Sequence, residues 1–264
     1  MKAREIVHVT GLLLAAVLLN SCAGSGGGGG GVTYVTPAAP AAIDGPRQDG
    51  ANALSAAERA GLATAWGEEK SSSTWEREFV RASDAPVGCD AIYYNDPAGV
   101  RAMSTDLQRV GAMENAAGGL VEWGVRGKAS FLTSYRERGH GRRLVQGEKG
   151  SAYSLVVRNK SARTLEVVLS VDGLDVIDGK SASFSKRGYI VTSGETLVIE
   201  GFRTSNQSVA QFRFASVAGS YANLRHGNTR NVGVLGLAVF TPKNDRRYAT
   251  PPGSYRGGAR PFPQ

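Results

Sequence analysis

Cysteine is nearly absent from this chain: of 264 residues, only Cys22 and Cys89 carry a thiol. Histidine is as scarce, at His8, His140 and His226. Neither residue occurs at Cys-x-x-Cys or His-x-x-x-His spacing, so no zinc-ligand set can be assembled from local sequence. A thiolate activated by imidazole would need Cys89 beside one of the histidines. Nothing around Cys89 marks it for that role, and a small buried hydrophobe is the simpler reading. There is no Gly-x-Ser-x-Gly elbow, no phosphate-cradling Gly loop ending in Lys-Ser/Thr, and no cofactor motif. The longest apolar stretch, Gly11 to Leu19, is too short to cross a bilayer comfortably as a helix.

What stands at the N-terminus is a charged start, Lys2 and Arg4, then that apolar stretch, then Leu19-Asn20-Ser21-Cys22. This is the layout of an export signal. The last four residues resemble the bacterial lipobox, with Leu first, a small residue before the cut and Cys after it. The resemblance implies cleavage after residue 21 and lipid, palmitate included, on Cys22. Ala23 follows the cysteine, so the outer membrane is the expected destination of a lipid-anchored envelope protein. Several acyl chains on one residue make a durable anchor where a single chain does not. Loss of Lys2, Arg4 and Glu5 takes the formal charge from +8 to about +7.

Low-complexity sequence brackets the rest. AGSGGGGGG opens a Gly/Ala/Pro-rich segment, 22–51, that buries no apolar face and reads as a tether. Residues 242–264, rich in Pro and Arg, read as a solvated, disordered basic tail. Between them, 52–118 is expected to be a small helical or irregular region. Ser55 with Glu58 makes a capping box for a helix from Ala56 to about Trp66. Leu107, Val110 and Met113 recur at helical spacing and predict a second helix over 104–113. Residues 75–96, including YYND, read as irregular or extended.

From about Gly119 the apolar period falls to two. In RTLEVVLSVDG, Leu165, Val167, Leu169 and Val171 share one face and Glu166, Val168, Ser170 and Asp172 the other. Further runs are SAYSLVVRN, RGYIVT, ETLVIEGF, SVAQFRFAS and VGVLGLAVF, with weaker ones in LVEWGV and KASFLTSY. Short strands split by Gly, Asn and Asp predict an antiparallel β-sandwich or jelly-roll-like domain over 119–241. VGVLGLAVF, apolar on both faces, is expected to be a central strand.

SVDGLDVIDGK, 170–180, spaces Asp172, Asp175 and Asp178 three apart, whereas calcium loops place their acids at every second position. Asp-Gly is also a strong turn dipeptide, because Gly adopts positive φ at little cost. The segment therefore reads as two tight turns around a short LDVI strand, with Asp175 facing solvent. Together with RGYIV, GFRTSNQSVAQFRF, SYA and NVGVLGLAVF, it resembles an uncharacterised β-rich domain of exported bacterial proteins, over roughly 120–240. AWGEE and YYND resemble a companion region of that family. The resemblance implies a fold class and no catalytic residue.

Two function classes remain. Arg136, Arg138, Arg142, Arg143, Arg225 and Arg230 are candidates for an anionic ligand, and they would equally serve solubility. After export the available anion is an envelope polymer or headgroup rather than nucleic acid; another envelope protein is the other partner to consider. The leading expectation is a non-enzymatic binding or structural lipoprotein. The rival is an exported glycosidase-like hydrolase drawing on Glu68, Glu69, Asp96 and Glu122, since paired carboxylates can split glycosidic bonds.

Overall fold

The computed structural model describes residues 59–243 and Phe262. The described residues form two sheets. In spatial order the first holds Leu62–Ser71 (β1), Ser208–Ser216 (β14), Ala152–Asn159 (β8), Val121–Arg126 (β5) and Glu114–Ala116 (β4). Thr196–Ile199 (β12) also pairs with β8, and Gly201–Arg203 (β13) with β14. The second sheet runs Leu174–Asp175 (β10), Leu165–Val171 (β9), Val234–Phe240 (β15), Gly88–Asn95 (β2), Arg143–Gln146 (β7), Ser134–Glu137 (β6) and Leu107–Val110 (β3). Tyr189–Val191 (β11) pairs with β9 as well. β2 and β7 are parallel and the other named pairs antiparallel. The chain is thus mainly β, a two-sheet sandwich.

Alternation explains which side chains lie between the sheets. Leu165, Val167, Leu169 and Val171 of β9 join Trp123, Val125, Leu155, Val157, Phe212 and Phe214 of the first sheet in one core. That is the face the period-two pattern predicts. Every residue of β15 is buried, and β9 and β2 flank it, so the doubly apolar run is a central strand. The opposite face of β9 and β15 is covered too. Val168, Ala238 and Phe240 pack with Ala182, Phe184 and Phe262, and Cys89 is half-buried against them. Of the segment expected to be a solvated tail, Phe262 is buried here, its ring 5.2 Å from that of Phe184, and residues 244–261 lie outside the described residues.

Both predicted helices are corrected. Ser55 and Glu58 lie outside the described residues, but 62–71 is a strand with Leu62 opposite Ser216 and Trp66 opposite Phe212. Ala, Leu and Glu are good helix formers, but intrinsic propensity differs by less than about 1 kcal/mol per residue, and pairing along β14 overrides it. A bulge between Trp66 and Glu69 absorbs Gly67, where a Cβ would meet the Gln211 carbonyl oxygen at 2.4 Å. The predicted 104–113 helix is instead the edge strand β3 and its flanks. The helix in this region is Pro97–Met103 (α1), opened by Asp96, whose side chain accepts from the Gly99 N–H at 2.6 Å. An N-cap Asp followed by Pro at the first helical position was the signal to read there. β1 to β4 pair with strands from beyond residue 119, so the boundary drawn at 118/119 crosses both sheets.

The Asp-Gly turns form as expected. Asp172 (φ 55°) and Gly173 (φ 77°) are the two-residue loop between Val171 and its partner Leu174, and Gly179 adopts φ 63°. The strand between the turns shrinks to β10, however, and Asp175 is 1% exposed rather than facing solvent. It pairs with Ser170 on the outer face of β9, and further on Ala182 and Phe184 pack over that face. We expect Leu237→Ala, in the middle of β15, to cost about 2–5 kcal/mol in urea unfolding with the strand content unchanged by circular dichroism.

Candidate functional site

The six arginines do not converge. β7 runs parallel to β2 with Arg143 opposite Ile92, so the β6–β7 tip carrying Arg138 and Arg142 lies toward Gly88. β15 is antiparallel with Val234 opposite Tyr93, so the segment leading into it lies toward Asn95, the other end of β2. That segment holds Arg230, and the helix before it, Tyr221–His226 (α2), holds Arg225.

Most of the hairpin arginines have structural partners. Arg142 forks onto Glu137 at 2.6 and 3.0 Å and lies over the Tyr93 ring; its hydrogen bond holds Glu137 below the usual carboxylate range. Arg143 is buried, donates to the carbonyls of Trp123 and Ala112 at 2.7 Å each, and lies 3.5 Å from Glu114. Burial pulls its pKa below that of a solvated guanidinium. Arg136 pairs with Glu114 at 2.5 Å. Arg138, 64% exposed, reaches Asp106 only at 3.7 Å.

Arg136 also borders a shallow polar groove. One depression of about 390 Å³ lies between Arg136, Glu114, Asn115, Glu122 and Lys160. A second of about 290 Å³ continues past Glu122 and Lys160 to Arg158, Ser161 and Ser193. β4 and β5 position the first wall, with Asn115 directly opposite Glu122, and β8 places Arg158 opposite Glu122 on its other side. The carboxylate of Glu122 is 3.4 Å from Arg158 and 3.5 Å from Lys160, and Lys160 also reaches Asn115 at 3.2 Å. A guanidinium has five donors and an ammonium three, so these contacts do not use up the N–H groups of the side chains that line the groove. The arrangement can accept an anion that also carries hydroxyl groups.

The candidate acids do not come together. Glu68 pairs with Arg213 and Asp96 caps α1. Glu68 and Glu69 lie on β1 and Glu122 on β5, three strand spacings away, on the order of 14 Å. Glycosidase carboxyls sit at about 5 to 9.5 Å. His140 is exposed at the β6–β7 tip and His226 bonds the Gly179 carbonyl at 2.9 Å. Among the described residues no three His, Cys, Asp or Glu side chains gather as a metal-holding group.

One acid the sequence marked only as a turn residue does far more. Asp172, fully buried, accepts from the Thr64 N–H at 2.7 Å, the Tyr94 hydroxyl at 2.6 Å and the Gly233 N–H at 2.9 Å. The Thr64 hydroxyl in turn bonds those of Tyr94 and Tyr153 at 2.7 and 2.6 Å. Burial pushes Asp172 up to about 6, against the downward pull of these donors, and raises both tyrosines well above the usual phenol value. No local spacing announces this cluster, because its members come from β1, β2, β8 and the β9–β10 turn.

No family model matches the chain, nor does any curated protein or solved structure.

Among the predicted arginines, buried and exposed members should separate cleanly. Arg143→Ala should cost about 3–5 kcal/mol, because it removes a buried side chain and its donors to the carbonyls of Trp123 and Ala112, while Glu114 keeps Arg136 as its partner. Arg138→Ala should stay within about 0.5 kcal/mol of wild type. Chemical denaturation of the two variants side by side checks this.

Proposed function

We propose that this chain is a lipid-anchored protein of the bacterial envelope, seated in the outer membrane through Cys22. Its β-sandwich is a non-enzymatic module that binds an anionic envelope polymer. The observation that carries the reading is Leu19-Asn20-Ser21-Cys22 followed at once by a Gly-rich tether. An anchor, a flexible arm and a domain are the parts of a protein that holds something near a membrane. Supporting it, Asp96, Glu68 and Glu122 each have a structural partner, which is the use expected of acids in a scaffold. The groove across β4, β5 and β8 supplies the ligand surface: Arg136, Arg158 and Lys160 stand at its rim, and fixed positive charge attracts a polyanion over a Debye length.

Cys22→Ala should abolish incorporation of labelled palmitate and move the protein from the membrane to the soluble fraction. Labelling that persists in the variant would overturn the anchor. Retention of the released chain on immobilised polygalacturonate tests the ligand separately. Arg158→Glu with Lys160→Glu should weaken it by about tenfold, and raising the salt should weaken the wild type likewise. Retention equal in the two proteins would remove the groove from the reading while leaving the anchor in place.

A further inference from the structure

One carboxyl group organises the loop that follows β10. The Oδ1 atom of Asp175 accepts from the N–H groups of Ile177 and Asp178 at 2.9 and 3.0 Å. Its backbone N–H donates to the Lys180 carbonyl at 2.8 Å, and its carbonyl accepts from Gly179 N–H at 2.9 Å. The Gly179 carbonyl then bonds the ring Nε2 of His226, the last residue of α2. Asp175 therefore holds the loop, and the loop holds the end of a helix. Oδ2 of the same carboxyl is buried and meets no hydrogen-bond partner among the described residues.

The charged and titratable groups around Asp175 do not supply one. Lys186 pairs with Asp178 on the same loop. Arg203, from β13, donates to the Tyr189 hydroxyl at 3.1 Å and to the Ser72 carbonyl at 2.8 Å. Tyr189, from β11, is raised by burial, and Asp175 adds to that rise. His226 is engaged with Gly179. A carboxylate buried with one oxygen unbonded and no paired cation bears a desolvation cost that the neutral acid avoids.

We propose that the β9–β10 hairpin is a proton-dependent latch: Asp175 sits in the fold as the neutral acid. Loss of its proton to solvent loosens the 175–180 loop and the His226 anchor of α2 with it. Burial pushes Asp175 up to about 7, while the Asp178 and Ile177 N–H groups pull it back down. Its unfolded counterpart titrates near 3.9. The folded state thus binds the proton more tightly, and the stability this contributes is complete below about pH 4 and is lost as pH rises through about 7. Asp172, at the opposite end of the hairpin and held at about 6, acts with the same sign, but its three donors keep the ionised form accommodated. The latch works on α2 and on Arg225 within it; that it meets the pH outside the cell rests on the export proposed above, while the latch itself needs neither the anchor nor the groove.

The test is a carbon-13 NMR titration of the Asp175 carboxyl in the folded full chain. It is paired with amide exchange at Ile177, Asp178 and Gly179 at pH 5.5 and 8, corrected for intrinsic rates. The expected result is a midpoint near 7 and about tenfold less protection at the higher pH. In Asp175→Asn that difference should vanish while protection in β15 is unchanged. A carboxyl midpoint near 4, or wild-type loop protection equal at the two pH values, overturns the proposal. The wild-type titration decides it even if the variant fails to fold.

Discussion

The buried carboxyl of Asp172 is the constraint on which the sandwich turns. It takes its donors from β1 in one sheet, from β2 in the other, and from the residue that leads into β15. Through the Thr64 hydroxyl the contact extends to Tyr153 of β8. Apolar packing between two sheets sets their separation but says little about how one slides on the other. A polar cluster whose members need one another's donors permits a single register, because any slip would leave a buried acid unsatisfied. The aromatic rings of Tyr94, Tyr153 and Phe214 pack around the cluster with centroids 4.3 to 6.3 Å apart.

That same requirement places Asp172 and Gly173 in a turn of positive φ. Asp accepts such a conformation more readily than most residues and Gly at almost no cost, so the hairpin geometry and the core contact are met by one dipeptide. Asp175, three residues on, completes the hairpin with the opposite logic. Asp172 is supplied with donors on both oxygens, whereas Asp175 has donors on one. Two acids within one short segment thus serve rigidity and responsiveness respectively.

Outside the core, charge is used chiefly to hold structure. Arg81 illustrates it: it forks onto Glu166 at 2.6 and 2.9 Å, donates to the Phe184 and Lys186 carbonyls, and stacks 3.6 Å over Phe240. It thereby clamps the segment that covers the outer face of the second sheet. Arg143 plays a like part between β7, β5 and the chain before β4. The contacts are looser at the groove, where Lys160 and Arg158 share Glu122 at 3.4 to 3.5 Å.

By itself the sequence determined the β class, the apolar faces of β8, β9, β14 and β15, and the central place of β15. These follow from a period of two that each strand carries within itself. It also determined the Asp-Gly turns, whose φ values are a local property of Gly and Asp. Only the tertiary structure decided that 62–71 is a strand, since β14 lies more than 130 residues away in the chain and outweighs local helix preference. The same holds for the arginines and acids. Their residue types suggested a basic patch or a carboxylate pair, but whether side chains meet depends on strand order and register, which no local spacing encodes. Asp172 and Asp175 show the limit most sharply. Both look alike as turn residues, and only the partners that folding brings, or fails to bring, to each oxygen set them apart.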